Sequence, residues 1–178
     1  MISPRLRLLH RAVVAGSADG AVWLLRDDAP GTDLAAHLDR HVFREDVKIE
    51  DLGRRLAVRG LPEASIPPGT LSESGDRPVR VGLAPGLALE VVDAAVPLSP
   101  AARNAGERAR IHAGWPRHGR EISDAFNPFE VGCWSDVHLQ KGCYIGQEAL
   151  MRLMTYESVR RRLAHEPVLL LTGADAEC

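Results

Sequence analysis

The chain has 178 residues, 45% of them hydrophobic, with 22 Lys and Arg against 24 Asp and Glu for a formal charge of −2. A chain of this length buries roughly 70% of its unfolded surface, which excludes a disulfide-dependent miniprotein and a wholly disordered chain. The near-zero charge argues against non-specific duplex binding as the main task, and no apolar run approaches the roughly 20 residues of a membrane helix.

In chain order, Leu6 to Val14 reads as a strand, and Ala21 to Leu25 as its hairpin partner across the turn residues Ser17 to Gly20. Thr32 reads as an N-cap with Asp33 in the first turn. Leu34, Leu38 and Val42 recur every fourth residue, so 33–43 is predicted helical. Val47, Ile49 and Leu52 restart a strand pattern. The Pro-, Gly- and Ser-rich stretch from Arg59 to Pro78 reads as an exposed loop or weak strand connection. Val79 to Leu83 and Leu87 to Val92 form short strands around Ala84-Pro85-Gly86. Ser99-Pro100 combines a capping hydroxyl with proline at the first helical position, and predicts a helix over 100–112 with an alanine face of Ala102, Ala105 and Ala109. Segment 103–120 carries five Arg against one Glu, which leaves a solvated face and an anion site equally open.

In the last third, Val137 to Leu139 reads as a short strand and Gly146 to Met154 as a helix, with Met151, Leu153 and Met154 packing in the core. Ser158 to Ala164 reads as a half-buried strand, and Val168 to Leu171 as the next one. The fold class is α+β, with mixed or antiparallel sheets and a few helices, in modules 1–98 and 99–178. Cys133, Cys143 and Cys178 are odd in number and include no C-x-x-C pair, so a disulfide framework is not expected and a reducing cytoplasm is the simplest home. The opening residues lack the apolar core of a signal peptide. No familiar metal-ligand spacing occurs, and no metal is expected. Most histidines read as surface or satisfied core groups, with His112 the one to watch. The tryptophans read as packing residues, with Trp115 placed to line a pocket.

The distinctive run is Lys141-Gly142-Cys143-Tyr144-Ile145-Gly146-Gln147-Glu148. Its two glycines permit a positive φ and close approach of the backbone. The Lys141 ammonium and the start of a helix at Gly146 would both favour a Cys143 thiolate, while Glu148 suits the first helical turn. The residues alone leave two readings: a reactive thiol, or a tight connection around a buried, inert one.

This run resembles the signature of the YgfZ family, folate-binding proteins related to the glycine-cleavage T-protein, an aminomethyltransferase. Arg110-Ile111-His112-Ala113-Gly114-Trp115-Pro116 resembles that family's Arg-Ile-Glu-Ala-Gly-x-Pro. Asn127-Pro128-Phe129-Glu130 resembles its Pro-x-Glu element, and the residues around Arg80, Gly82 and Glu90 resemble the glycine-rich turn of the T-protein. His41 to Leu52 and Ala149 to Leu163 are similar to further family stretches, and Ser3-Pro4-Arg5 to its opening. The chain departs from the pattern where Leu6 stands for a glycine, His112 for a glutamate, and Gly86-Leu87 for acids.

The resemblance implies part of the aminomethyltransferase folate-binding fold, shortened at both ends, without the T-protein's catalytic Asp segment or its C-terminal barrel. It implies tetrahydrofolate as cofactor, an iron–sulfur client protein as partner, and a role in iron–sulfur cluster assembly or repair linked to tRNA modification. Two alternatives stay open: an aminomethyltransferase moving a one-carbon unit to tetrahydrofolate, and a non-catalytic remnant or interaction module. Whether the chain is an enzyme is left open too. By position, Cys143 is the family's signature thiol and Lys141 its basic neighbour, and these two are the catalytic candidates. Glu90, Arg110, Glu130, Tyr144, Gln147, Glu148 and Arg152 are the cofactor-binding candidates.

Overall fold

The computed structural model describes residues 1–62, 65–75 and 77–164. It is α+β, as expected, with a two-stranded sheet, a four-stranded sheet and three helices among the described residues. Strands β1 (Val13–Gly16) and β2 (Val22–Leu25) pair antiparallel, with Val13 opposite Leu25. Their turn is closed by the Asp19 carboxylate, which accepts from the Ala21 amide at 3.0 Å. The first strand is shorter than expected. Leu6 sits in the left-handed region at φ 60, and the Leu6 amide bonds back to the Ser3 carbonyl. The opening segment therefore loops before it can pair.

Helix α1 (Gly31–Asp39) begins one residue before Thr32, after Pro30, and has no side-chain cap. It buries Leu34 and ends four residues short of the expected boundary, leaving Phe43 exposed. The expected strand over 47–52 does not form. No neighbouring strand pairs with those residues, and Val47 is exposed; a strand without a partner leaves its amides to water.

The larger sheet contains β3 (Leu56–Leu61), β4 (Leu71–Ser74), β5 (Arg77–Ala84) and β6 (Leu87–Asp93), in the order β3-β6-β5-β4, all antiparallel. The stretch from 59 to 78 thus contributes the end of β3, all of β4 and the start of β5. Gly86 turns β5 into β6 at φ 75. Leu89 and Val91 of β6, with Val81 of β5, pack against Ala15 and Leu25 of the hairpin to form the main core. Each fully buried Leu or Val side chain there contributes about 1.5–3 kcal/mol.

Helix α2 (Pro100–His112) starts as its sequence dictates: Ser99 Oγ accepts from the Ala102 amide at 3.2 Å and Pro100 occupies the first turn. Its buried residues are Gly106 and Arg110, not the alanine face; Ala102 is exposed. A Cβ on Gly106 would stand 2.6 Å from the Gly60 carbonyl oxygen, so glycine is what lets α2 lie on the end of β3.

A second cluster joins Leu8 and Ile2 of the opening segment to Ile122, Phe126, Val131 and Cys133. Residues 137–139 form no strand, and neither do 158–164. Helix α3 (Gln147–Thr155) follows Gly146, at φ 84. It buries Leu150 alone, and Met151 and Met154 are exposed rather than in the core. Val168 to Leu171 lie outside the described residues. No described helix is long and apolar enough to cross a membrane.

Candidate functional site

A pocket of about 140 Å³ opens where the β3–β6 end of the sheet, α2 and the loop after α2 meet. Leu83, Leu87 and Leu98 give it apolar walls, and the Trp115 ring closes one side. Asp27, Arg59, Arg103, Glu107, Arg110 and Arg117 supply its charge. The Arg11 guanidinium stacks on Trp115, 3.5 Å from the ring centroid, and so fixes that ring from behind.

Arg110 is buried and fully engaged. Its Nε and Nη2 donate to the two Glu107 oxygens at 3.0 and 2.8 Å, and its Nη1 to the Trp115 carbonyl at 2.7 Å and Glu121 at 3.0 Å. Arg117 donates to Glu107 at 2.8 Å and to the Asp27 backbone carbonyl at 3.1 Å. The Arg110 hydrogen bond, joined by Arg117 and outweighing burial, brings the Glu107 carboxyl down to about 2. Part of the basic excess over 103–120 is thus neutralised inside the fold, and Arg110 acts as the clamp between α2 and the Trp115 loop.

The other residues singled out from sequence lie elsewhere. Glu90 sits on β6 opposite both Arg59 and Arg80 and is buried between them. Arg59 Nε donates to it at 2.7 Å and Arg80 Nε at 3.0 Å. Burial works to raise the Glu90 pKa, but the two guanidiniums outweigh it and hold the carboxyl below its usual range. Glu130 and Asn127 cap each other: Asn127 Oδ1 accepts from the Glu130 amide at 3.1 Å, and Glu130 Oε2 from the Asn127 amide at 3.0 Å. Arg161 pairs with Glu130 at 2.9 Å, which ties the 158–164 segment to this turn.

Lys141, Cys143, Tyr144 and Gln147 share one loop before α3. Gln147 holds it together: its Nε2 donates to the Leu139 carbonyl at 2.7 Å, and its Oε1 accepts from the Tyr144 amide at 3.3 Å. The Lys141 ammonium stands 4.9 Å from the Tyr144 ring centroid. Cys143 is exposed, so the inert, buried reading does not hold for it. It lines neither the 140 Å³ pocket nor the adjoining crevice of about 20 Å³. Glu148 and Arg152 form an exposed pair at 2.6 Å along α3. Arg110 is therefore the one candidate that meets the main pocket.

Asp27 and Arg59 are not singled out from sequence, whereas Arg103, Glu107 and Arg117 fall in the 103–120 segment for which the sequence leaves an anion site open. Asp27 and Asp28 directly follow the apolar run Ala21 to Leu25, and acids at a strand end beside a helix are well placed to line a cleft. Burial pushes the Asp27 carboxyl up, and Arg117 opposes the shift. Among the described residues no group of three or more His, Cys, Asp or Glu is gathered as a metal site.

The chain is 41% identical over 86 residues to a chloroplastic protein of Arabidopsis thaliana that carries a provisional transferase name, a match covering 46% of this chain and 19% of that protein. It is 35% identical over 66 residues to an aminomethyltransferase of Thermoanaerobacter sp., covering 37% of this chain and 18% of the relative. It is 36% identical over 72 residues to an aminomethyltransferase of Symbiobacterium thermophilum, covering 40% of this chain and 19% of the relative. The chain thus spans less than a fifth of the length of these curated relatives in each match. No protein-family model and no solved structure matches it.

Proposed function

We propose that this chain is a tetrahydrofolate-binding part of a protein related to the aminomethyltransferases, with one flat ring system of the cofactor seated in the pocket beneath α2. One observation carries the reading: Arg110 and Trp115, five residues apart in the stretch that resembles a folate-binding motif, converge on the main pocket. At 140 Å³ the pocket is smaller than the roughly 300–1,000 Å³ that takes a whole drug-sized ligand. It suits a ring system whose remaining length extends along the surface. The partial likeness to aminomethyltransferases supports the same ligand class. Isothermal titration of the chain with tetrahydrofolate tests it: saturable heat is expected, and a flat trace refutes it.

A second reading, an accessory role toward an iron–sulfur client with a link to tRNA modification, has the exposed Cys143 loop in its favour. Gln147 holds that loop in shape while leaving the thiol open to a partner. Replacing Cys143 with Ser is then expected to abolish support of iron–sulfur enzyme activity in cells without weakening folate binding.

A further inference from the structure

Two charged groups in the pocket have no side-chain ion-pair partner among the described residues. Asp27 follows β2, and its carboxylate lies over Gly60, 3.3 Å from where a Cβ would stand. Arg117 reaches the Asp27 backbone carbonyl rather than its carboxylate, and no other described side chain donates to that carboxylate. Arg117, Asp28 and Glu107 are the charged groups acting on it, and Arg59, Arg103 and Arg110 line the same pocket. Apart from the Asp27 backbone amide no donor reaches this half-buried carboxylate among the described residues, so it has acceptor capacity left for a ligand.

Arg103 is the counterpart. It projects from α2, is exposed, and makes no side-chain ion pair or hydrogen bond among the described residues. Arg59, Arg110 and Arg117, by contrast, are each committed to glutamates. An unpaired acid inside and an unpaired base at the rim, with leucines and an indole ring lining the same space, define a polarity.

We propose that the pocket takes a flat, amphoteric ligand head-first: Asp27 accepts from the N–H groups of a heteroaromatic or amidinium head, and Arg103 pairs with a carboxylate at the other end. The proposal rests on the pocket being the ligand site, and it deepens the tetrahydrofolate reading by giving that ligand a direction.

The test titrates wild type, Asp27→Asn and Arg103→Ala with tetrahydrofolate, 4-amidinobenzoate and benzamidine, which is the same head without the carboxylate. Wild type is expected to bind all three. Asp27→Asn is expected to weaken every one by at least about tenfold, the scale of a lost charge-assisted hydrogen bond. Arg103→Ala is expected to weaken tetrahydrofolate and 4-amidinobenzoate by about three- to fivefold, as befits an exposed ion pair, and to leave benzamidine unchanged. Near-UV circular dichroism and the thermal midpoint establish that Asp27→Asn is folded; if it is not, the Arg103→Ala contrast between the two amidines decides alone. Affinity of a folded Asp27→Asn equal to that of wild type for the amidines, or an equal effect of Arg103→Ala on both amidines, overturns the proposal. Binding of the amidines with the expected pattern, but not of tetrahydrofolate, upholds the polarity and refutes the folate reading. Binding of tetrahydrofolate with no effect of either variant does the reverse, and binding of none refutes both.

Discussion

Cys133 and Cys143 are ten residues apart and lie in different media. Cys133 is sealed in the second core cluster, where burial, against the pull of Arg11, pushes its thiol up to about 11. Cys143 stands exposed in the loop before α3. Alkylation of the native chain at pH 8, read by peptide mapping, is expected to modify Cys143 well before Cys133; equal rates would contradict the packing described. Glu90 offers a second test at this scale. Its carboxylate holds two guanidiniums on one face of the sheet, so Glu90→Gln is expected to lower stability by about 2 kcal/mol in urea unfolding, since the arginines lose their shared partner. The lysine–cysteine–glutamine loop was legible as a run of residue types, because glycines and a helix start announce themselves in sequence. Asp27 was not, since its meaning comes from Gly60, Arg117 and α2, which only the folded chain brings to it.

Elements show the same division. Ser99 and Pro100 carry the start of α2 within two residues, so that helix could be read to its boundary. Gly146, at φ 84, likewise marks the start of α3. The stretches over 47–52, 137–139 and 158–164 have strand-like patterns but no neighbouring strand among the described residues, and pairing is a property of the sheet rather than of the segment. How helices dock was also hidden. Alanines suggested the buried face of α2, yet the contact is glycine on glycine. Gly106→Ala is therefore expected to destabilise by about 1–2 kcal/mol, because the clash with the Gly60 carbonyl outweighs the gain of up to about 1 kcal/mol in helix propensity. Gly146→Ala is expected to lose about 2 kcal/mol from its left-handed φ and its contact with Ile2. Chemical denaturation of both variants checks these values, and unchanged midpoints would refute the docking.

Across the whole molecule, acid is the condition that separates these contacts. Burial, with His37, Arg26 and His118 adding to it, brings His10 down to about 4 from an ordinary 6.5. Between those values the unfolded chain takes up a proton that the folded chain refuses, so stability falls as pH drops through that window. Glu107, at about 2 against 4.5, adds a second loss at lower pH. The thermal midpoint is expected to decline from pH 6.5 downward, and His10→Gln to flatten the upper part of that decline. A profile unaffected by the substitution would contradict the half-buried, neutral imidazole.

The central claim is that the space between the sheet, α2 and Trp115 is where a ligand binds. Nitrogen–proton NMR of the tryptophan indoles reads that directly, because Trp115 lines the pocket while Trp134 is stacked on Phe129 and lies outside its lining. On titration with tetrahydrofolate the Trp115 indole resonance is expected to shift saturably and that of Trp134 to stay in place. A shift confined to Trp134, or none at saturating ligand, would contradict the assignment of the site.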